Sequence, residues 1–334
     1  MSEQLRWGFL SASSISHVVA TDFQLAGIKI QAVGAREIAK ANDFADKFGI
    51  PNRHEGYEAL VADPEVDIVY ISTLQSLHAE HALLAIRAGK HVLLEKPFTL
   101  NAAEAQAIRA AAESAGVFVM EAMWTRFLPM MTEVFRIIES GQIGEVRLSV
   151  ADHSLYLPEH LVPRLWSPAA GGGALLDLGI YPISLFARLF GKEKAVTARG
   201  ILTESGMDLT TSAIFEYQDG AQALMTTSME TSGSVNASII GTKGRIEIER
   251  MFYEQTTFTV HENDLTSAPG TPSLVSSYEA KIEGRGMQYQ ALEVERCIHA
   301  GLTESPILTL DETVSIMETM DEIRSQTGVK YPGE

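Results

Sequence analysis

The chain has 334 residues, 46% of them apolar and 21% charged, which makes it a folded protein longer than the roughly 250–300 residues one core usually serves, so two domains are expected. Its net charge of −17, from 43 acidic against 26 basic residues, has the wrong sign for neutralising phosphates and argues against nucleic acid and anionic membrane surfaces as partners. The only cysteine, Cys297, rules out an intrachain disulfide or a cysteine metal cluster and agrees with a reducing cytoplasm.

Met1-Ser2-Glu3-Gln4-Leu5-Arg6 runs directly into a strand pattern, so no secretion signal is expected. From Arg6 to Met120, short β-rich runs alternate with helical stretches, the pattern of βαβ units and a Rossmann-like parallel sheet. The strands are expected at Trp7 to Leu10, Ile28 to Ala35, Asp67 to Ser72, His91 to Leu94 and Val117 to Met120. Helices are expected at Ala39 to Phe48, Ala79 to Ala88 and Ala102 to Ala115, the last opened by an Asn101/Glu104 capping box. Ala82 to Leu94 is read as the most apolar stretch. Arg87, Lys90 and His91 break it well short of the 18 or more residues of a membrane span.

After Gly144 strands follow one another without helices between them: Glu145 to Ala151, Val196 to Leu202, Thr210 to Tyr217, Gln222 to Ser228, Ser234 to Ile240 and Arg245 to Glu249. That order predicts an open, mainly antiparallel sheet in a C-terminal α+β domain. Two helical stretches close the chain, Gln288 to Ala300 and Glu312 to Ser325, the second with Val314, Met317, Met320 and Ile323 on one face. The expected division is 1–122 for dinucleotide binding and 123–334 for substrate binding and dimerisation, with the C-terminal helix free to pack back on the first domain.

The motifs lie where open α/β sheets bind ligands, at the carboxyl ends of strands. Ser11-Ala12-Ser13-Ser14-Ile15-Ser16 follows the first strand, where a dinucleotide fold carries G-x-G-x-x-G. Its small residues would let the backbone approach a pyrophosphate at a helix N-terminus, though an ordinary strand-to-helix turn reads the same way. Arg36, after the second strand, suits a 2′-phosphate and favours NADP(H) over NAD(H), while Glu37 remains within reach of a ribose. Thr73, Leu74 and His78 follow the next strand as cofactor contacts, with packing as the alternative for His78. His78 and His81 lack further suitably spaced ligands, so no metal is expected.

Glu95-Lys96-Pro97 ends the following strand, and the proline keeps Lys96 out of helical geometry. Trp124, Arg126 and Phe127 come next and would wall a sugar or ring substrate, as would Tyr156 and Trp166; the aromatics also read as core. Gly171-Gly172-Gly173 leads to Asp177 and to Tyr181-Pro182. A free phenol titrates near about 10, and a neighbouring ammonium lowers that value, so Lys96 and Tyr181 are the parts of a proton-transfer site.

With these motifs the chain resembles the glucose-fructose oxidoreductase, inositol dehydrogenase and MocA-like family, and within it the dimeric dihydrodiol dehydrogenase and NADP-dependent xylose dehydrogenase branch. The likeness runs through Ala35-Arg36, Glu95-Lys96-Pro97, Glu121 to Phe127, Gly171 to Pro182, Gly241 to Gly244 and Gly301 to Pro306. It implies that Lys96 and Glu95 line the cofactor, that Tyr181 is the acid/base between the domains, and that Asp177 orients substrate or tunes the site. Ser11, Ser13 and Ser16 depart from the glycine pattern, and Gln75 stands where asparagine or histidine is common. The implied activity is hydride transfer between nicotinamide and a carbinol or carbonyl of a small sugar, polyol, dihydrodiol or related dicarbonyl, in a homodimer. A redox-neutral NAD-dependent glycosidase and a non-catalytic NADP sensor are the alternatives.

Overall fold

A computed structural model of the chain describes residues 4–263, 272–279 and 281–334. The first three residues, on which the reading of the N-terminus partly rests, lie outside the described residues. The chain packs into two compact units, one running up to Phe127 and including Ile282–Met317, the other formed by Leu128–Lys281 and Glu318–Glu334.

In the first unit the chain alternates strand and helix: β1 (Trp7–Leu10), α1 (Ser14–Leu25), β2 (Ile30–Ala35), α2 (Ile38–Phe48), β3 (Asn52–Glu55), α3 (Tyr57–Val61), β4 (Ile68–Ile71), α4 (His78–Arg87), β5 (His91–Glu95), α5 (Ala102–Ala115) and β6 (Val119–Ala122). The six strands are parallel in the order β3-β2-β1-β4-β5-β6, so β1 and β4 flank the point where strand order reverses. β1, β4 and β6 are buried throughout, as strands covered on both faces must be. Phe9 anchors one side, with Phe23, Phe44 and Tyr70 rings 5.5, 6.0 and 4.9 Å away. The Asn101 cap forms: its Oδ1 accepts from the Glu104 amide, while Glu104 Oε2 accepts from the Leu100 amide, one residue before the cap. β3 escaped notice because Asn52-Arg53-His54-Glu55 is polar, as suits an edge strand.

The later segment of this unit returns through Asp22, whose carboxylate accepts from the amides of Arg285 and Met287, and through the Trp7 indole, which donates to Glu295. These bonds dock the helix at Gln288–His299 in the first unit. The turn Trp124–Phe127 belongs there as well, tied by Arg126 to Glu312. A cut at residue 122 assigns both segments to the second domain, because local pattern does not reveal which core a distant helix joins.

The second unit contains α6 (Pro129–Glu139), β7 (Val146–Ser154), α7 (Ile180–Phe190), β8 (Ala195–Leu202), β9 (Asp208–Glu216), β10 (Gln222–Ser228), β11 (Ala237–Gly241), β12 (Gly244–Ile248), β13 (Phe258–Asn263) and β14 (Pro272–Tyr278). The described strands form one sheet in the order β14-β13-β12-β11-β7-β10-β9-β8, antiparallel except for the parallel β7–β10 pair. The chain closes with α8 (Gln288–His299), in the first unit, and α9 (Leu310–Thr327), which both units share. Val314, Met317, Met320 and Ile323 of α9 are all buried.

The apolar maximum lies elsewhere than Ala82 to Leu94. Pro168–Phe190, at mean hydropathy 1.4, is long and apolar enough to cross a bilayer by composition, yet 78% of that window is buried inside the fold. Its apolarity is that of a core helix.

Candidate active site

The phosphate loop candidate stands at the switch point of the parallel sheet. Ser11 leaves β1 with φ +103°, in the left-handed region that favours glycine, and its amide bonds to the Gly34 carbonyl of β2 at 2.9 Å. Serine thus occupies the backbone shape that the first glycine of the fingerprint serves. Ser13 caps α1, its hydroxyl accepting from the Ser16 amide, and the Ser13 and Ser16 hydroxyls meet Ser72 at the end of β4, 3.1 and 2.6 Å away. Three serines therefore knit together the two strand ends that glycines would leave bare. Helix α1 has no acidic residue in its first turn, and Ala12, Ser14 and Ile15 are not buried, so small side chains and a helix N-terminus face where a pyrophosphate would bind. These residues fit a dinucleotide. Arg36 is exposed just beyond β2, and Glu37 is engaged by Lys40 at 2.8 Å.

Other expected cofactor contacts are placed differently. Leu74 is exposed, and the Thr73 hydroxyl bonds to His81 Nδ1 at 2.9 Å. His78 is buried, with Nδ1 2.9 Å from the Pro97 carbonyl and Nε2 3.3 Å from the Thr73 carbonyl. Burial holds its pKa down at about 4, so the ring is neutral and donates through Nδ1 to Pro97. His78 thereby holds the carbonyl of the Lys96-Pro97 turn. Glu95 accepts from the Tyr70 hydroxyl at 2.6 Å and from the Lys96 amide at 3.2 Å, while Lys96 itself is half-buried at the tip of β5. Burial and the Glu95 charge push the Tyr70 phenol well above its usual range, so it stays a neutral donor.

Trp124 and Phe127 are buried in the first unit, with the Arg285 guanidinium 5.7 Å from the Trp124 ring. Arg126, expected to hold substrate oxygens, is only 3% exposed and pairs with Glu312 at 2.7 Å. That pair ties Arg126 to α9.

In the second unit the glycines before Tyr181 have steric reasons. A Cβ on Gly172 would run into the Leu165 carbonyl, and one on Gly173, at φ +113°, into Asp208. Asp208 Oδ2 accepts from the Leu175 amide and the Thr211 hydroxyl, and burial pushes its carboxyl up to about 6. The Tyr331 hydroxyl donates to the Gly172 carbonyl at 2.7 Å, tying the loop to the end of the chain. From there Leu175–Gly179 forms a π-helical turn that runs into α7, a distortion frequent at functional sites.

Pro182 explains part of that distortion. It has no N–H, so the Leu178 carbonyl lacks its normal helical donor four residues ahead. His153 of β7 supplies one: its Nδ1 lies 2.9 Å from that carbonyl, which fixes the proton on Nδ1. The Tyr181 ring sits edge-on to His153 at 5.1 Å and tilted against Tyr253 at 4.7 Å, and His153 and Tyr253 stack at 4.4 Å. Asp177 is mostly buried and pairs with Arg164 at 3.1 Å. Tyr156 is 63% exposed, and the Trp166 indole donates to the Leu157 carbonyl beside a small core of Leu165, Leu178 and Met229. The grouping of His153 and Tyr253 with Tyr181 went unread in the sequence. No motif marks them, since strand alternation alone aims His153 inward.

The matches to known proteins agree with this architecture. Residues 7–123 match the model of an oxidoreductase family with an NAD-binding Rossmann fold, and 131–247 match the GFO/IDH/MocA C-terminal domain. A trans-1,2-dihydrobenzene-1,2-diol dehydrogenase from Xenopus laevis is 35% identical over 98% of this chain and 99% of its own length. The Mus musculus protein of that name is 36% identical over 98% of each. Among solved structures, KijD10, a 3-ketoreductase from Actinomadura kijaniata with NADP and TDP-benzene, is 25% identical with TM-score 0.83, covering 97% of this chain and 98% of its own. An aldose-aldose oxidoreductase from Caulobacter crescentus, 24% identical and covering 98% of both chains, shares the fold at TM-score 0.85. With both domain models matched in order along one chain, the protein belongs to the Gfo/Idh/MocA family of oxidoreductases and is an enzyme built on an NAD(P)-binding Rossmann fold.

Proposed function

We propose that the protein is an NADP(H)-dependent oxidoreductase acting on a carbinol or carbonyl carbon of a small sugar, polyol, dihydrodiol or related dicarbonyl. The observation that carries this reading is Tyr181, a phenol packed against His153 and Tyr253 just after a π-helical turn. Bound nicotinamide supplies the hydride acceptor or donor. In oxidation Tyr181 Oη takes the hydroxyl proton as hydride leaves the carbinol carbon; in reduction it returns that proton to the carbonyl oxygen. Lys96 meets the cofactor ribose and assists catalysis, and Asp177 orients the substrate hydroxyls. Positioning of this kind contributes roughly 7–11 kcal/mol to lowering a barrier.

The dehydrogenases named for a dihydrobenzene diol, together with the ring-lined surroundings of Tyr181, support a small cyclic substrate. A panel of aldoses, polyols, dihydrodiols and dicarbonyl sugars, followed by NADPH absorbance, tests it. Activity confined to acyl, amino-acid or long aliphatic compounds would overturn the reading.

Exposed Arg36, with Glu37 engaged by Lys40, supports NADP(H) over NAD(H). Wild-type kcat/KM is expected to favour NADPH. Arg36→Asp is expected to lose roughly tenfold or more of that preference, the worth of a charge-assisted hydrogen bond to phosphate. A wild-type preference for NADH refutes the assignment.

The same proposal includes a cytoplasmic homodimer. Ile214 and Val150 are exposed on the outer face of the second sheet, each directly across from Leu224, and Leu148 lies across from Ile240. Such a contiguous apolar surface favours a second copy as its cover. A concentration-independent monomer mass by light scattering would sink this part.

A further inference from the structure

Three backbone polar groups of the turn Lys96-Pro97-Phe98 are held by side chains. The Lys96 amide donates to Glu95 Oε2 at 3.2 Å, the Pro97 carbonyl accepts from His78 at 2.9 Å, and the Phe98 amide donates to Glu121 Oε1 at 3.0 Å. Glu121 comes from β6, which pairs with β5 in the register Leu94 to Glu121 and Glu95 to Ala122. It is 1% exposed, and its second oxygen, Oε2, has no hydrogen-bond partner among the described residues.

A half-satisfied carboxyl in the core is costly, and an apolar residue would pack there at less expense to stability. Desolvation pushes the Glu121 carboxyl up to about 7; Glu95 adds to the rise, and Arg126, Lys96 and the Phe98 amide oppose it. A group so placed needs a role beyond filling space. The Lys96 ammonium lies at the end of a side chain about 6 Å long, so a backbone rotation of about 10° displaces it by about 1 Å, a misplacement that costs on the order of a hundredfold in rate.

We infer that Glu121 is a positioning residue for Lys96, fixing the turn through the Phe98 amide so that the ammonium is aimed at the reacting oxygen. The inference rests on the reading of Lys96 as a catalytic residue. It extends the site to a strand whose own residues need not touch substrate.

The test is a double-mutant cycle in the full-length protein, with kcat at saturating substrate and NADPH affinity by fluorescence titration. Glu121→Gln keeps an acceptor for Phe98 and is expected to retain kcat within about threefold, whereas Glu121→Met lowers it at least about tenfold with NADPH affinity within about threefold. In a Lys96→Ala background, Glu121→Met is expected to change the residual rate by less than about twofold, because the group it positions is gone. A general structural defect would instead multiply the two losses. Glu121→Leu repeats the apolar arm should Glu121→Met fail to fold. The inference is overturned by a normal kcat in the apolar variant, or by an equal loss with and without Lys96. A normal rate for Lys96→Ala alone overturns the catalytic reading of Lys96 instead.

Discussion

The turn that carries Lys96 and the turn that carries Tyr181 are held in different ways. Around Lys96 the backbone is pinned by directional bonds from Glu95, His78 and Glu121. Around Tyr181 hydrogen bonds from Asp208, Tyr331 and His153 are joined by shape: two glycines that tolerate no Cβ, a π-helical turn, and rings at 5.1 and 4.7 Å. The contrast follows from the side chains themselves. Lysine ends in a small charge on a flexible stem, so its aim depends on its root, whereas tyrosine is a rigid plate with two torsions that its neighbours hold directly.

The sharpest break of this comparison is Tyr181→Phe, which keeps the plate and removes the phenol oxygen. Turnover is expected to fall by at least the roughly hundredfold typical of general acid/base catalysis, with NADPH affinity retained. Near-normal turnover would reduce Tyr181 to a packing residue.

Asp208→Asn probes the buried carboxyl that accepts from the Leu175 amide in the Tyr181 loop. The folded pKa, pushed up to about 6, lies above the ordinary carboxylate value, so the folded state binds the proton more tightly than the unfolded state. Its stabilising contribution is therefore complete at low pH and is lost as pH rises from about 4 through about 6. Asparagine keeps an oxygen for the Leu175 amide and cannot ionise. At pH 8 the variant is expected to be more stable than the wild type by on the order of 2–3 kcal/mol, with the gap closing below about pH 4. Thermal melts across that range check it; a gap independent of pH would contradict the shift.

His153→Phe preserves the ring contact with Tyr181 but removes the donor to the Leu178 carbonyl. The expected loss is about 0.5–1.5 kcal/mol of stability, the net worth of one hydrogen bond, because the Ile180 amide still donates to that carbonyl. Adding Pro182→Ala restores a helical N–H for that carbonyl and is expected to recover part of the loss. Strictly additive losses in denaturant titrations would show that proline does not create the need for His153.

Ser11→Gly has the smallest expected effect. Relief of the left-handed serine is offset by the larger entropy of an unfolded glycine, leaving a gain of at most about 1 kcal/mol. The hydroxyl bonds of Ser13, Ser16 and Ser72 remain, so NADPH affinity is expected to hold. A marked loss of affinity would mean that the Ser11 side chain itself contacts the cofactor.

Much of the fold was legible because it rests on local signals. Five of the parallel strands, the Asn101 cap and the buried stripe of α9 follow from periodicity and capping chemistry, which act over a few residues. The polar edge strand β3 and helix α6 were not read, and β13 and β14 lie beyond the last strand that alternation suggested. The glycine, lysine and tyrosine motifs were legible for the same local reason.

What the sequence determined by itself is therefore the chemistry on offer: a small-residue turn at a strand end, an arginine after β2, a lysine before proline and a tyrosine after glycines. Only the tertiary structure decided how those groups are held. It turned Arg126 inward to Glu312, set His78 beneath Pro97, aimed Glu121 at Phe98, and brought His153 and Tyr253 to Tyr181 across 28 and 72 residues of chain. Those partners come from different strands and helices. Their meeting depends on sheet register and on buried polar groups finding partners, and neither is encoded within any short stretch of sequence.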